Sequence, residues 1–271
     1  MRAPAPAKIN LALVVGPTRD DGKHEVATVL QRVGLADRVA VESAPSLTVS
    51  GFTGDTLVRE ALHALATAAG VDTGWAATIT KRIPVASGLG GGSSDAATAL
   101  RLANDTLDTP LPLDDLRALA ATLGADVPFF LGDGPQLGRG DGSELEPLDL
   151  PQDYWVVLVL PTGPVKPSTA SVYRAFDERD GAKGWDGRRE RLADVLAVVR
   201  RPRDLAALPV NDLAESPVAE ELRRLGAFRA DVSGAGPVLY GLFHHRRQAE
   251  TARRALRGVG RNWLTVPVWY G

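Results

Sequence analysis

The segment RIPVASGLGGGSSDAATAL, residues 82–100, has the residue types and the spacing that could hold a phosphate group. Four glycines lie in the five positions from Gly88 to Gly92, and Ser93 and Ser94 follow directly. Glycines allow backbone N–H groups to approach phosphate oxygens closely, and the start of a following helix adds unpaired donors and a favourable dipole. A flexible surface loop before a capped helix is the competing interpretation. The number of glycines beside two serines favours anion binding.

This segment differs from two familiar nucleotide-binding loops. No Gly-Lys-Ser/Thr follows at the spacing of a P-loop. Ser93 and Asp95 lie where the dinucleotide-binding pattern needs its third glycine. The alanine-rich run after the glycines has helical spacing, and we expect Ser93, Ser94 or Asp95 to be the N-cap of that helix. The segment therefore predicts a different kind of phosphate cradle at a helix N-terminus.

Lys8, Asn10 and Asp126 are the candidates for chemistry outside this loop. The segment KINLALVVG alternates as a strand does, which places Lys8 and Asn10 on one face. Only five of the 31 basic residues are lysines, so a lysine in a motif indicates a need for a compact ammonium. Asp126 lies in GADVPFF, where it either caps the apolar turn that follows or acts as a general base. The residues alone leave both roles of Asp126 open, and an exposed strand lysine is the alternative for Lys8.

Strands and helices are predicted on both sides of the glycines. The segment WAATITKRIPV, residues 75–85, is typical of a strand that stops at Pro84 and leads directly into the loop. Apolar residues at helical spacing indicate helices over residues 55–70 and 112–124, and each of these ends at a glycine. The glycine loop is therefore expected to join a strand to a helix.

A change of composition predicts the domain organisation. Residues 145–153 are polar and contain prolines, which indicates a boundary between an N-terminal domain, residues 1–150, and a C-terminal domain, residues 151–271. Beyond the boundary, YWVVLVLP is typical of a buried strand, and helical segments follow it. Because strands in hairpins alternate with helical crossovers, we predict an α+β fold rather than a doubly wound sheet.

The composition excludes several classes of protein. The chain has 271 residues and a formal net charge of −2, which gives no indication of nucleic-acid binding. The absence of cysteine excludes disulfides and thiolate metal sites, and the four histidines lack metal-ligand spacing. No apolar run approaches the length of a membrane span. We therefore expect a cytoplasmic protein, monomeric or weakly dimeric, that acts on a small molecule without binding nucleic acid or a membrane.

Three segments together resemble the motifs of the GHMP kinases, the small-molecule kinase family that includes galactokinase, homoserine kinase and mevalonate kinase. PAKINLAL is similar to the first motif, PVASGLGGGSSDAATAL to the second and VSGAGPVLYGLF to the third. Their order and spacing match, so the resemblance covers nearly the whole chain. It implies a two-domain GHMP kinase fold with an N-terminal ATP-binding domain, a C-terminal substrate-side domain and the active site in the cleft between them. It also implies that ATP and Mg²⁺ take part.

Within this family, the chain is most similar to the branch whose substrate is a methylerythritol linked to cytidine diphosphate. DDGKH, GADVPFF and NDL resemble the pattern of that branch. The implied reaction is ATP-dependent phosphorylation of the 2-hydroxyl of this alcohol, in non-mevalonate isoprenoid precursor biosynthesis. The chain departs from the pattern at Lys23, where the branch usually has an aromatic residue, and at Ala235, where the family has a serine. The departure at Lys23 affects part of the expected cytosine contact.

The resemblance gives roles to individual residues on the substrate side. Asp126 matches the general base, and Lys8 orients Asp126 and the substrate hydroxyl. Asn10 is expected to hydrogen-bond the substrate, and His24 to read the edge of the cytosine. Tyr173 is expected to stack on the pyrimidine, although packing of a helix explains a tyrosine there equally well.

The resemblance also implies a binding site for ATP. The phosphate cradle would consist of Pro84, Gly88, Leu89, Gly90, Gly91, Gly92, Ser93 and Ser94. Lys81 and Thr56 lie where the family binds adenine, and Ser94 is a candidate Mg²⁺ ligand. Two alternatives remain open: a related GHMP kinase that acts on another small alcohol, of the homoserine or mevalonate type, and a non-catalytic nucleotide-binding relative.

Overall fold

A computed structural model describes residues 1–54, 56–72, 74–163 and 168–268 of the chain. The elements up to residue 147 are β1 (Arg2–Thr18), β2 (His24–Ala44), β3 (Thr48–Ser50), α1 (Leu57–Ala69), β4 (Gly74–Thr80), α2 (Gly91–Asn104), α3 (Leu113–Leu123), β5 (Gln136–Arg139) and β6 (Glu144–Pro147). The later elements are β7 (Trp155–Pro161), α4 (Thr169–Glu178), α5 (Trp185–Val198), α6 (Pro217–Arg224), β8 (Arg229–Val232), β9 (Leu239–Phe243), α7 (Arg246–Ala255) and β10 (Gly260–Thr265).

The first six strands form one mixed sheet with the order β3-β4-β2-β5-β6, and β1 pairs with β2. The β3–β4 pair is parallel, whereas the other pairs in this sheet are antiparallel. Apolar residues of α1 and α2, including Leu62 and Leu100, share a buried cluster with Trp75 of the sheet. The proline-bearing segment 145–153, predicted as a boundary, begins inside β6, because its first residues pair with β5 in a hairpin.

The last four strands form an antiparallel sheet with the order β10-β7-β9-β8. Its core continues into the first half of the chain, since Ile9 and Leu11 of β1 share a buried cluster with Leu158 and Tyr240. The hydroxyl of Tyr240 donates a hydrogen bond to the carbonyl of Leu11 at 3.2 Å. Two sheets with helices confirm the predicted α+β class. In the part of the chain that the structure describes, no helix combines the length and the apolar character needed to cross a membrane.

The strand predicted over residues 75–85 is shorter than expected. β4 ends at Thr80, and the backbone N–H groups of Arg82 and Ile83 both donate to Oδ1 of Asp37. These donors are therefore satisfied by a side chain instead of by a neighbouring strand. The chain turns away from the sheet at this point, four residues before Pro84, where the strand was expected to stop.

The predicted N-cap of the helix after the glycines was wrong. Gly90 occupies the N-cap position with a φ of +68°, and no side chain caps this end of α2. The helix begins at Gly91, so Ser93, Ser94 and Asp95 lie inside its first turns. A glycine takes this left-handed conformation without steric cost, and its carbonyl accepts the first helical hydrogen bond, from the N–H of Ser94 at 2.9 Å.

Lys81, Asp37 and Asp95 form a buried ion cluster beside the glycines. The ammonium of Lys81 donates to Oδ2 of Asp37 at 2.5 Å and to Oδ2 of Asp95 at 2.7 Å. Both carboxylates are almost completely inaccessible to solvent. One ammonium between two carboxylates leaves one excess negative charge, and Oδ1 of Asp95 has no hydrogen-bond partner among the described residues. Asp37 lies on β2, Lys81 directly follows β4 and Asp95 lies on α2. The cluster therefore connects the segments before and after the glycines.

The excess charge makes this cluster sensitive to pH. Burial raises the pKa of Asp95 to about 7, although the Lys81 ammonium opposes this shift. The folded protein therefore binds this proton more tightly than the unfolded chain, in which the carboxyl has a pKa near its ordinary value of 3.8. Because the folded-state value is the higher one, the contribution of Asp95 to the free energy of unfolding falls as the pH rises from about 4 to about 7.

We therefore predict that Asp95→Asn becomes more stable relative to the wild type as the pH rises from about 5 to about 8, because the amide cannot ionise. Urea midpoints of both proteins, measured across this range, test the prediction. Asp114→Asn, which changes an exposed carboxylate of α3, is the matched control and should follow the wild type at every pH. Parallel midpoints for Asp95→Asn and the wild type would contradict the prediction.

Candidate active site

Lys8 and Asp126 form an ion pair at the wall of a cavity. The Nζ atom of Lys8 lies 3.4 Å from Oδ2 of Asp126. Lys8 is almost completely buried in β1, whereas the side chain of Asp126 is 40% exposed and lies in the turn after α3. A buried ammonium must be paired, and an exposed carboxylate beside it is accessible to a ligand. The structure thus brings together the two residues that the sequence analysis selected for catalysis.

Asn10 orients the ammonium of Lys8 through a short chain of hydrogen bonds. The Nζ of Lys8 donates to Oδ1 of Asn10, the amide of Asn10 donates to Oγ1 of Thr28, and that hydroxyl donates to the carbonyl of Ala12, each at 2.8 Å. All three side chains are buried and line the cavity. Thr28 was missed by the sequence analysis, because its position opposite β1 depends on strand pairing that the sequence pattern does not reveal.

Asp126 does not cap the turn that follows it. The 3₁₀ turn begins at Pro128, Val127 occupies the N-cap position, and no side chain caps this turn. The capping alternative for Asp126 is therefore wrong, and its carboxylate has Lys8 as its ionic partner.

The glycine loop, residues 84–92, is held against the third motif by contacts that only glycine permits. Gly88 has a φ of +82°, and a Cβ at this position would lie 2.2 Å from the carbonyl oxygen of Ser233. The hydroxyl of Ser233 donates to the carbonyl of Gly88 at 3.0 Å, and the N–H of Lys8 donates to the carbonyl of Leu89 at 2.9 Å. All three motifs therefore meet at this loop.

The glycine loop separates two cavities. The larger cavity, of about 670 Å³, is lined by residues from both halves of the chain, among them Lys8, Asp126 and Tyr173. The smaller cavity is lined by Phe52, Thr56, Lys81, Pro84 and the first residues of α2. The two cavities share five lining residues, which are Val85, Ala86, Gly88, Gly90 and Ser93. Groups bound in the two cavities would therefore meet at the loop.

The residues expected to form the phosphate cradle divide into two sets. Gly91, Gly92 and Ser93 form the first turn of α2 and line the smaller cavity. A Cβ at Gly92 would meet no other atom within 4 Å, so there is open space at that point. Leu89 and Ser94, in contrast, are fully buried. Leu89 packs in the core, and the structure places neither residue on the lining of the two cavities.

Ser94 is the residue that the sequence analysis named as a candidate Mg²⁺ ligand. Its Oγ is buried and has no hydrogen-bond partner among the described residues. An unsatisfied hydroxyl oxygen in the first turn of a helix has the chemistry of a Mg²⁺ ligand, although this one lies outside the lining of both cavities. The described part of the chain contains no group of three or more histidine, cysteine or acidic residues that could hold a metal without phosphate.

His24 and Tyr173 pack together beside the larger cavity. Their ring centroids are 4.8 Å apart, and Nε2 of His24 lies 2.7 Å from Oδ1 of Asp177. Tyr173 lines the cavity, whereas the structure does not place His24 on its lining. Burial, with a smaller contribution from the charge of Asp126, raises the pKa of Tyr173 to about 12, so its hydroxyl stays neutral. The imidazole of His24 thus packs against the tyrosine ring and already has a partner for Nε2.

Comparisons with known proteins agree with this geometry. The GHMP kinases N terminal domain matches residues 56–134, and the GHMP kinases C terminal domain matches residues 216–262. The chain is 35% identical to 4-diphosphocytidyl-2-C-methyl-D-erythritol kinase of Geobacter metallireducens, over 97% of this chain and 96% of the relative. It is 37% identical to the kinase of the same name from Chlorobium phaeobacteroides, over 93% of this chain and 92% of the relative.

Solved structures extend these comparisons to the fold. A crystal structure of 4-(cytidine 5'-diphospho)-2C-methyl-D-erythritol kinase is 36% identical, covers both chains completely and has a TM-score of 0.80. A homoserine kinase from Cytophaga hutchinsonii matches with a TM-score of 0.69 over 99% of this chain and 94% of the homoserine kinase. Its identity is only 17%, so this likeness concerns the fold alone. With its three motifs, its two-sheet fold and these near full-length relatives, the chain belongs to the GHMP kinases, in the 4-diphosphocytidyl-2-C-methyl-D-erythritol kinase family.

Proposed function

We propose that this protein is an ATP-dependent kinase that transfers a phosphoryl group to a hydroxyl of 4-diphosphocytidyl-2-C-methyl-D-erythritol, the 2-hydroxyl by family resemblance. The observation that carries this proposal is the Lys8–Asp126 pair, 3.4 Å apart, on the wall of a cavity that the glycine loop bounds. Identity of 35% to kinases of this name over nearly the full chain supports the choice of substrate. A kinase of this kind acts in isoprenoid precursor biosynthesis.

In the proposed reaction, the substrate hydroxyl lies beside Asp126 at the wall of the larger cavity. The carboxylate takes the proton as the hydroxyl oxygen attacks the γ-phosphorus of ATP, and the bond from that phosphorus to the β–γ bridging oxygen breaks. The ammonium of Lys8 stabilises the ionised Asp126 and the negative charge on the attacking oxygen. Asn10 holds the ammonium in place, so no reorganisation of Lys8 is needed during the reaction.

The smaller cavity is the proposed site of ATP. The N–H groups at the start of α2 and the open backbone at Gly92 suit a phosphate, because they offer donors without a side chain in the way. Thr56, Pro84 and Phe52 line the same cavity and would surround the nucleoside part. Lys81 lies there too, but its ammonium is engaged by two carboxylates, so its proposed role is to hold the loop. Mg²⁺, with Ser94 as a protein ligand, would neutralise charge on the phosphates.

The larger cavity is the proposed site of the cytidyl alcohol. Tyr173 offers a ring face for stacking a pyrimidine, and the tilted ring of His24 fixes that tyrosine. Since residues from both halves line this cavity, we place the active site in the cleft between two domains that join near residue 150. We also propose that the protein is monomeric or weakly dimeric and acts in the cytoplasm.

The substrate proposal is tested by incubating the purified protein with ATP and one of three alcohols and measuring ADP release. We expect turnover with 4-diphosphocytidyl-2-C-methyl-D-erythritol, and little with homoserine or mevalonate. Preference for either of the other two alcohols would replace the proposed substrate, and no turnover with any of the three would favour the non-catalytic alternative.

For the base, we predict that Asp126→Asn lowers kcat by about 10²–10⁴, the usual effect of removing a positioned base. The ATP affinity should change little, because Asp126 does not line the smaller cavity. ADP-release kinetics and ATP titration calorimetry measure the two quantities. Asp114→Asn is the control, since this carboxylate of α3 is 93% exposed and has no place in the site. Near-normal turnover of Asp126→Asn would remove Asp126 from the proton transfer.

For the phosphate cradle, we predict that Gly92→Val weakens ATP binding about tenfold or more, because the new side chain fills the space where phosphate approaches the backbone. The fold should persist, since a Cβ at Gly92 meets no other atom within 4 Å. Gly187→Val is the matched control: this glycine is also helical and also has free space around it. Unchanged ATP affinity of a folded Gly92→Val protein would show that the glycine loop does not bind phosphate.

For the pyrimidine, we predict that Tyr173→Leu raises the KM for the cytidyl substrate about tenfold, the effect of losing one base-stacking ring. The KM for ATP should stay near that of the wild type, because Tyr173 lines only the larger cavity. Tyr173→Phe retains the ring and should behave like the wild type. Equal losses for both substrates would indicate that Tyr173 serves packing alone.

A further inference from the structure

Asp141 is a second carboxylate on the wall of the larger cavity, and its ionic partner is the lysine that departs from the family pattern. Asp141 lies in the turn between β5 and β6, and its side chain is 15% exposed. The ammonium of Lys23 donates to its Oδ2 at 2.5 Å, and Ser143 donates to Oδ1 through both its N–H and its hydroxyl. The carboxylate is thus fixed in position at the edge of the cavity.

The partners of Asp141 also fix its charge. Partial burial alone would raise its pKa, but the hydrogen bonds from Lys23 and Ser143 outweigh burial and hold the pKa at about 2. Asp141 is therefore ionised at any physiological pH and can only accept hydrogen bonds. A carboxylate offers about four acceptor positions, and the described residues fill three of them. One position remains for a donor of a bound ligand.

Other groups near the pyrimidine site are less suited to this role. Nε2 of His24 already has Asp177 as its partner, and His24 is absent from the residues that the structure places on the cavity lining. Asp126 is the only other carboxylate among the described lining residues, and it is paired with Lys8. Tyr173 presents a ring face for stacking. Among the described residues that line the cavity, Asp141 is thus the carboxylate that has no role in the proposed reaction.

We propose that Asp141 is a specificity-determining residue that accepts a hydrogen bond from the exocyclic amino group of the pyrimidine, and that Lys23 is the positioning residue that holds Asp141 for it. Cytosine presents an amino donor at the position where uracil presents a carbonyl acceptor. A fixed carboxylate attracts the amino group and repels the carbonyl, so it selects cytidine over uridine. This inference deepens the proposed function and rests on it, because it assumes that the larger cavity binds a cytidyl group.

A lysine can replace the usual aromatic residue because its ammonium holds Asp141 in place. Lys23 is exposed at the cavity edge, with 59% of its side chain accessible, and it is tied to Asp141 rather than lying across a ring. An aromatic residue at this position would supply a second stacking surface but no positive charge. In this chain, an oriented and permanently ionised hydrogen-bond acceptor therefore takes the place of one of the two stacking surfaces. Without Lys23, the carboxylate would lose its hydrogen-bonded cation while facing a substrate that carries a diphosphate.

The experiment is a calorimetric titration with CDP and with UDP, while a non-hydrolysable ATP analogue fills the smaller cavity. The wild type should bind CDP at least about tenfold more tightly than UDP, as a site built around one charged hydrogen bond does. Asp141→Asn should weaken CDP binding and reduce the preference to less than about threefold, since an amide can face either base. Lys23→Met should also reduce the preference, because the carboxylate loses its orientation. Asp114→Asn is the control: it removes an exposed charge of α3 that does not line the cavity, and the wild-type preference should persist.

The outcome is separable from that of the proposed function. If the wild type phosphorylates 4-diphosphocytidyl-2-C-methyl-D-erythritol but Asp141→Asn keeps the full cytidine preference, the role of Asp141 is overturned and the kinase stands. If Asp141→Asn loses the preference while Lys23→Met retains it, the positioning role of Lys23 is overturned. If the wild type itself does not distinguish CDP from UDP, the inference fails. Thermal unfolding of each variant confirms that it is folded, and Asp141→Ser, which also removes the carboxylate and should lose the preference, replaces Asp141→Asn if that variant does not fold.

Discussion

The buried ammonium of Lys8 is the interaction on which the site depends. An ammonium away from water is tolerated only when charged and polar groups surround it, and Lys8 has Asp126 and Asn10 as partners. The backbone of the same residue donates to the carbonyl of Leu89 in the glycine loop. One residue of β1 therefore fixes both the proposed base and the proposed phosphate site. Their relative position follows from the rigidity of a strand that is buried along most of its length.

A second constraint joins the two halves of the chain at the same place. The backbone at Gly88 approaches the carbonyl of Ser233 so closely that no side chain fits between them. Asn211 holds the turn on the far side, since its amide donates to the carbonyls of Val232 and Gly234. A Cβ at Gly88 would also lie 3.0 Å from the carbonyl oxygen of Gly236. The glycines of the second and third motifs thus allow the two backbones to approach each other closely. Gly92, at the start of the helix, instead leaves open space for the proposed ligand.

The sequence predicted the α+β class, the helix that ends at Gly70 and the meeting of Lys8 with Asp126, because these follow from periodicity, local stop signals and the resemblance of three motifs in register. It did not predict the roles of Thr28 and Asp37. Both lie on β2, and their partners are 16 or more residues away, so only strand pairing and helix packing bring them to the site. The N-cap prediction was wrong because it rested on the local preference for serine at this position. In the structure the N-cap has a left-handed conformation, which Gly90 adopts.

The use of lysine shows how the site differs from the surface of this arginine-rich chain. Three of its five lysines, Lys8, Lys23 and Lys81, bind carboxylates at the two cavities. In each of these contacts the ammonium meets one carboxylate oxygen and leaves the other available for other donors; at Asp141 these donors belong to Ser143. A planar guanidinium tends to engage both oxygens of a carboxylate and would occupy more of the cavity. A compact ammonium instead neutralises a carboxylate near anionic ligands and leaves one oxygen free to orient a loop, take a proton or accept a hydrogen bond.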